Sequence, residues 1–157
     1  MKALIVAIAS LGMLPVAAAV DVSVTYSEDF AETLEQDYGV REGEYLAEAI
    51  TDDLNRAFAK RGIDPARVEI EIIDAKPNKP TMTQLTDEPG LDYLRSLSIG
   101  GMKLSGTAFD SEGNVLGTLE YGWFESDIRD VLGSATWTDA KRASDKFARK
   151  FAKNLAE

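Results

Sequence analysis

Acid–base chemistry is the first possibility the residues raise. Asp and Glu number 27, and Glu42, Glu44, Asp52 and Asp53 crowd one short stretch. Glycoside hydrolysis needs two carboxylates roughly 5–10 Å apart across a cleft. Asp52 and Asp53 are adjacent, so a helix would turn them to different sides, and Glu42 and Glu44 read as a solvated first turn. The chain has no His and no Cys. That excludes disulfides, thiol nucleophiles, zinc sites of the usual type and a Ser-His-Asp triad. Asp110, Glu112, Gly113 and Asn114 supply oxygen ligands around a glycine, but a calcium loop needs more carboxylates at alternating positions and a bidentate Glu downstream. The stretch reads as a hairpin turn. Gly100-Gly101 makes no phosphate loop, because no Lys-Ser/Thr follows into a helix. The reading at this level is no catalytic residue, no metal ligand and no cofactor, with a small carboxylate-dependent hydrolase of the cell envelope as the alternative.

Binding chemistry gathers elsewhere. Residues 75–98 hold Lys76, Asn78, Lys79, Tyr93 and Arg95 in an otherwise acidic chain, with Pro77, Pro80 and Pro89-Gly90 as bends. Long ordered loops in compact domains often carry function. Prolines bias Lys76–Lys79 toward an extended form, which would present both lysines to an acidic or polar partner at little ordering cost. These five residues are the proposed binding set. A second surface is a polar sheet face around Lys103, Thr107 and Glu120. Tyr121, Trp123, Phe124 and Trp137 are read chiefly as packing residues, with Phe124 at the exposed parity.

The elements that would position these groups follow from periodicity. Asp21–Tyr26 alternates, with Val22, Val24 and Tyr26 on one face, and predicts a half-buried strand. Residues 27–38 read as irregular or a short helical turn, with Phe30 and Leu34 at helical spacing. Glu42–Arg61 predicts a helix, since Leu46, Ile50, Leu54 and Phe58 fall on one stripe; Gly62 is its left-handed stop and Ile63 the cap's apolar partner. Val68–Asp74 alternates again. Residues 75–98 read as a long connection with one helical turn near Thr81–Leu85. Ile99–Phe109 and Val115–Phe124 predict a β-hairpin across Asp110–Asn114. A bulge or strand-entry kink is expected at Gly100-Gly101. Met102, Leu104, Gly106 and Ala108 share a face with Val115, Gly117, Leu119, Tyr121 and Trp123. Gly106 and Gly117 would let a helix approach closely. Ala135–Ala156 predicts the second long helix, with a capping box between Thr136 and Asp139 and a stripe of Ala140, Phe147, Phe151 and Leu155.

Two amphipathic helices and four one-sided strands in the order βαβββα predict an α+β fold. The expected architecture is a two-layer sandwich of a four-stranded mixed sheet with both helices on one face. The first strand–helix–strand unit should pair its strands in parallel and the hairpin should complete the sheet. With 157 residues, 45% of them apolar and 28% charged, the composition suits one globular domain.

The chain's first residues read as an export signal. Met1-Lys2 supplies a positive start, Ala3–Leu14 an apolar stretch, and Ala17-Ala18-Ala19 a small-residue cleavage site. This predicts a signal peptide over residues 1–19, a single domain over 20–157, no stable membrane insertion after cleavage, and a periplasmic or secreted product. The net charge of −10 becomes one unit more negative when Lys2 leaves. Such acidity excludes nucleic acid as a partner; an envelope protein or a small polar ligand is expected instead. The pattern resembles small exported α+β modules of bacterial envelopes such as the N-terminal domain of TolB. It is also similar, over most of residues 20–157, to uncharacterised proteobacterial secreted proteins carrying a segment like Asp74-Ala75-Lys76-Pro77-Asn78-Lys79-Pro80-Thr81. The resemblance implies an envelope location and no particular activity. The function expected is a non-catalytic, exported binding or interaction protein.

Overall fold

The computed structural model describes residues 19–157. The export signal read over residues 1–19 lies outside the described residues except for Ala19. Within them the order is β1 (Asp21–Tyr26), α1 (Glu28–Thr33) running into a π-helical turn (Leu34–Tyr38), α2 (Val40–Arg61), β2 (Arg67–Lys76), α3 (Met82–Asp87), β3 (Gly101–Phe109), β4 (Val115–Phe124), a 3-10 turn (Ile128–Val131) and α4 (Thr138–Ala156). The sheet order is β1-β2-β3-β4. β1 and β2 are parallel, and β2-β3 and β3-β4 are antiparallel. The α+β two-layer sandwich expected from periodicity is the observed architecture, with α2 and α4 as its helix layer.

The apolar stripes form the interface between the layers. Leu46, Ile50, Leu54 and Phe58 of α2 and Phe147 and Phe151 of α4 meet Val68, Ile70, Ile72, Met102 and Leu104 in one core. Glycines set how near α4 can lie. A Cβ on Gly106 would stand 2.8 Å from Phe147 Cζ, and one on Gly117 2.7 Å from Leu155 Cδ2. Gly62 ends α2 at φ +66°, and the Ile63 amide donates to the Phe58 carbonyl at 3.0 Å. No helix among the described residues is long and apolar enough to cross a membrane.

Five expectations are corrected. Residues 28–38 are helical almost throughout, because Ser27 Oγ caps the Phe30 amide at 3.2 Å and both Phe30 and Leu34 are buried. Ala75 and Lys76 finish β2 instead of opening a loop. The sheet irregularities fall at Ile72/Asp74 and Ala108/Phe109, so Gly100-Gly101 is no bulge, and β3 begins at Gly101. Gly100 is needed where its α-carbon meets Asn78, since a Cβ would stand 2.8–2.9 Å from that carboxamide. The second irregularity also moves Val115 off the core face, leaving it 59% exposed. Last, α4 starts at Thr138 without the Thr136–Asp139 capping box, because Asp139 turns inward to Asn78.

Candidate functional site

Pro77 to Ser98 forms a loop stitched shut at its neck. The Asn78 amide donates to the Thr136 carbonyl at 2.7 Å, and the Ser98 amide donates to the Asn78 carbonyl at 2.9 Å. Ser98 Oγ donates to the Pro77 carbonyl at 2.6 Å. The Asn78 side chain completes the closure. Its Nδ2 donates to the Ser98 carbonyl at 3.2 Å and to Asp139 Oδ2 at 2.5 Å, and its Oδ1 accepts from the Asp139 amide at 2.8 Å. Arg142 completes the cluster at 2.9 Å from Asp139 Oδ1. Asn78 and Asp139 are both fully buried. A carboxamide, with donors and acceptors, suits this junction, whereas a buried carboxylate without partners would be costly.

The loop is ordered from within. Thr81 and Gln84 form a reciprocal capping box that starts α3, with bonds of 3.3 and 3.1 Å. Asp92 Oδ1 accepts from the Leu94 and Arg95 amides at 2.8 and 3.0 Å. Between this loop and the end of β2 opens a cleft of about 340 Å³, whose polar lining comes from Tyr38, Lys76, Lys79, Gln84, Ser96 and Ser98, with Glu88 as its carboxylate. Burial, then the charges of Asp74 and Asp37, push the Tyr38 hydroxyl above its ordinary pKa, so it stays a proton donor through the neutral range. Its ring stands edge-on to Trp137 at 5.7 Å.

The five residues of the binding set part company here. Lys76 and Lys79 share the cleft. Lys76 Nζ lies 5.8 Å from the centre of the Phe124 ring and Lys79 Nζ 4.7 Å from that of Tyr93. Neither lysine has a carboxylate within 4.0 Å among the described residues. Asn78 is the buried pin described above and presents nothing to solvent. Tyr93 lines the neighbouring hollow with Arg41, Glu42, Tyr45 and Trp137. Arg95 is exposed and lines neither. The sequence reasoning missed Tyr38, Gln84, Ser96 and Ser98. The Thr81-x-x-Gln84 spacing was a usable signal for α3; nothing local foretells that the Tyr38 turn meets the loop.

Two of the four acidic residues considered for catalysis, Glu42 and Asp53, tie α2 to the start and body of α4. Glu42 Oε2 accepts the Trp137 indole N–H at 2.5 Å. Asp53 accepts from Ser144 Oγ at 2.7 Å and pairs with Arg56 at 3.0 Å. Asp110 binds back into its own turn, accepting from the Glu112 and Asn114 amides and from Asn114 Nδ2. Those bonds, led by the Asn114 side chain, hold its carboxyl below the usual range. No group of three acidic residues among the described residues is placed to hold a metal ion. The opposite sheet face is shallow and polar, built from Ser23, Thr25, Glu69, Glu71, Ser105 and Thr107, with Lys103 and Glu120 paired at 2.7 Å.

No protein-family model matches the chain, and no curated protein sequence does. Among solved structures, the minor lipoprotein from Acinetobacter baumannii is similar at 12% identity, with a TM-score of 0.35 over 88% of this chain and 93% of that chain. So slight a likeness says nothing about activity.

Proposed function

We propose that this protein is an exported, non-catalytic binding module of the cell envelope, periplasmic or secreted, that holds an acidic or polar partner in the Lys76–Lys79 cleft. One observation carries the reading. In a chain with 27 acidic residues, two lysines with no carboxylate within 4.0 Å among the described residues line the same cleft as the hydroxyls of Tyr38 and Ser96. Hydrogen bonds from ammonium groups to an anion are about twice as strong as neutral ones. The proline frame and the Asn78 closure hold these donors in place before a partner arrives, which lowers the ordering cost of binding. Export rests on the leader pattern, and the mature chain should begin at Val20.

The test is the double change Lys76→Ala, Lys79→Ala. The melting temperature should stay at the wild-type value, because Lys76 is exposed and Lys79 partly so. Protein recovered from an envelope fraction by wild-type bait and identified by mass spectrometry should be lost with the variant and weakened by salt. Equal and salt-insensitive recovery by the variant refutes the cleft as the contact surface. The contact would then move to the sheet face around Lys103, Thr107 and Glu120.

A further inference from the structure

β4 is an edge strand, and no strand among the described residues pairs with its outer side. It closes one side of the sheet, and none of its ten residues is buried. The Glu125 amide donates to the Gly100 carbonyl, which fixes the alternation of the ladder. Leu119, Tyr121 and Trp123 direct their backbone groups to β3, whereas Thr118, Glu120, Gly122 and Phe124 direct theirs outward. Proteins usually blunt such edges with proline, outward lysine, very short strands or a covering segment. β4 is ten residues long and has no proline. Its single charge, Glu120, is taken up by Lys103 at 2.7 Å. By contrast β1, the other edge, has six residues.

The side of this edge nearest α4 is cationic and aromatic. Lys146 Nζ lies 3.9 Å from the centre of the Trp123 ring and Lys150 Nζ 5.2 Å from that of Tyr121. Their neighbours are neutralised within the helix, Arg149 by Asp145 at 2.7 Å and Lys153 by Glu157 at 3.6 Å. Lys146 and Lys150 have no carboxylate within 4.0 Å among the described residues. We infer that the β4 edge accepts an extended acidic peptide segment as a fifth strand, with Lys146 and Lys150 binding carboxylates at alternate positions of that segment. The spacings agree. Two lysines four residues apart on a helix are separated by about 6 Å along its axis, and alternate residues of a strand by about 6.7 Å. In an antiparallel fifth strand, the residues opposite Tyr121 and Trp123 place their side chains on the α4 side, under the two ammonium groups. Charge decides the occupant. A second copy paired antiparallel through β4 would set its own Lys146 and Lys150 row against this one, whereas an acidic strand neutralises it.

Lys76 of the cleft lies 5.8 Å from the Phe124 ring at the end of β4, but the charges invoked here are Lys146 and Lys150, so changing them leaves Lys76 and Lys79 in place and the two proposals are tested by different variants. The test uses the intact mature chain and a synthetic heptapeptide alternating Val and Glu, with a Val–Lys heptapeptide as control. Amide hydrogen exchange is read by NMR at millimolar peptide. The Val–Glu peptide should slow exchange at Thr118, Glu120, Gly122 and Phe124, while Leu119, Tyr121 and Trp123, already bonded to β3, change little. Lys146→Glu with Lys150→Glu should weaken binding about tenfold or more with the melting temperature retained. Lys146→Ala with Lys150→Ala is the gentler second variant if the charge reversal disturbs α4. Three results would overturn the inference: no slowing at the four outward amides, equal binding of the Val–Lys peptide, or protection of those amides by a second copy in the absence of peptide.

Discussion

Asn78→Ala tests the closure of the loop directly. The substitution removes three hydrogen bonds, of 3.2, 2.5 and 2.8 Å, at a position with no solvent exposure. It leaves the Ser98 carbonyl and the Asp139 amide unpartnered at that junction. The Asp139 carboxylate, fully buried, keeps only Arg142, whose side chain is half exposed. A buried polar group left without a partner costs about 1–3 kcal/mol, and a charged one more. Relaxation of the loop and entry of water offset part of this, so the expected loss is about 3–5 kcal/mol. That is a large share of the roughly 5–15 kcal/mol that stabilises a typical domain. Urea unfolding followed by circular dichroism measures it. Asp139→Ala and the double variant complete a cycle, and the coupling should exceed about 1 kcal/mol because the two side chains share one network. Asn78→Asp refines the test. It sets a new buried carboxylate against the Asp139 carboxylate, which raises the folded-state pKa of the introduced Asp above its unfolded value. The added destabilisation is then present at neutral pH and shrinks as pH falls through that raised value. A loss below about 1 kcal/mol for Asn78→Ala, or strict additivity in the cycle, would refute the view that this pair holds the loop.

Other expectations concern the core, the tyrosines and the amino terminus. Leu54→Ala and Phe147→Ala, at positions with no exposure, should each cost about 2–5 kcal/mol in urea unfolding. Glu69→Ala removes only an exposed pair with Arg67 and should change stability by less than about 0.5 kcal/mol; the reverse ranking would refute the face assignment. Gly106→Ala should cost about 1–3 kcal/mol by overpacking against Phe147 and Ile70, and a neutral result would show that α4 can move away. Burial, reinforced by Glu44 at Tyr26 and by Asp74 and Asp37 at Tyr38, raises both hydroxyl pKa values above 10. Stability from these groups is therefore complete below the unfolded value and lost as pH rises through the folded ones. In an absorbance titration, these two of the five tyrosines should ionise late in the native protein and at the ordinary value in urea. Sequencing of the secreted protein should begin at Val20; retention of Met1 in a membrane fraction would refute export with cleavage.

The helices and strands that carry α2, β2, β3 and β4 were legible from periodicity, because each buries one face and solvates the other. Leu46, Ile50, Leu54 and Phe58 form one stripe in any amphipathic helix, and the Gly62 stop is a local rule of the backbone. Gly106 and Gly117 could be assigned to the helix-facing side from parity alone, and only the structure shows that α4 is the helix they admit. The hairpin turn was legible because the Asp110 bonds are local, spanning at most four residues. Position in three dimensions decided the rest. Asn78 reads as a solvated loop residue beside two lysines, yet Asp139, 61 positions away, turns it into a buried pin. The same contact cancels the Thr136–Asp139 cap, since Asp139 cannot serve both. Val115 leaves the core face because a bulge at Ala108/Phe109 shifts its register, and periodicity carries no trace of an irregularity that two strands create together. Tyr38 enters the cleft, and Lys146 and Lys150 reach the β4 rings, only because α-helical packing brings distant segments together. Local patterns report which face of an element avoids water, because that preference belongs to each segment alone; which polar groups meet depends on partners far away in the chain, and only the folded structure brings them within hydrogen-bonding distance.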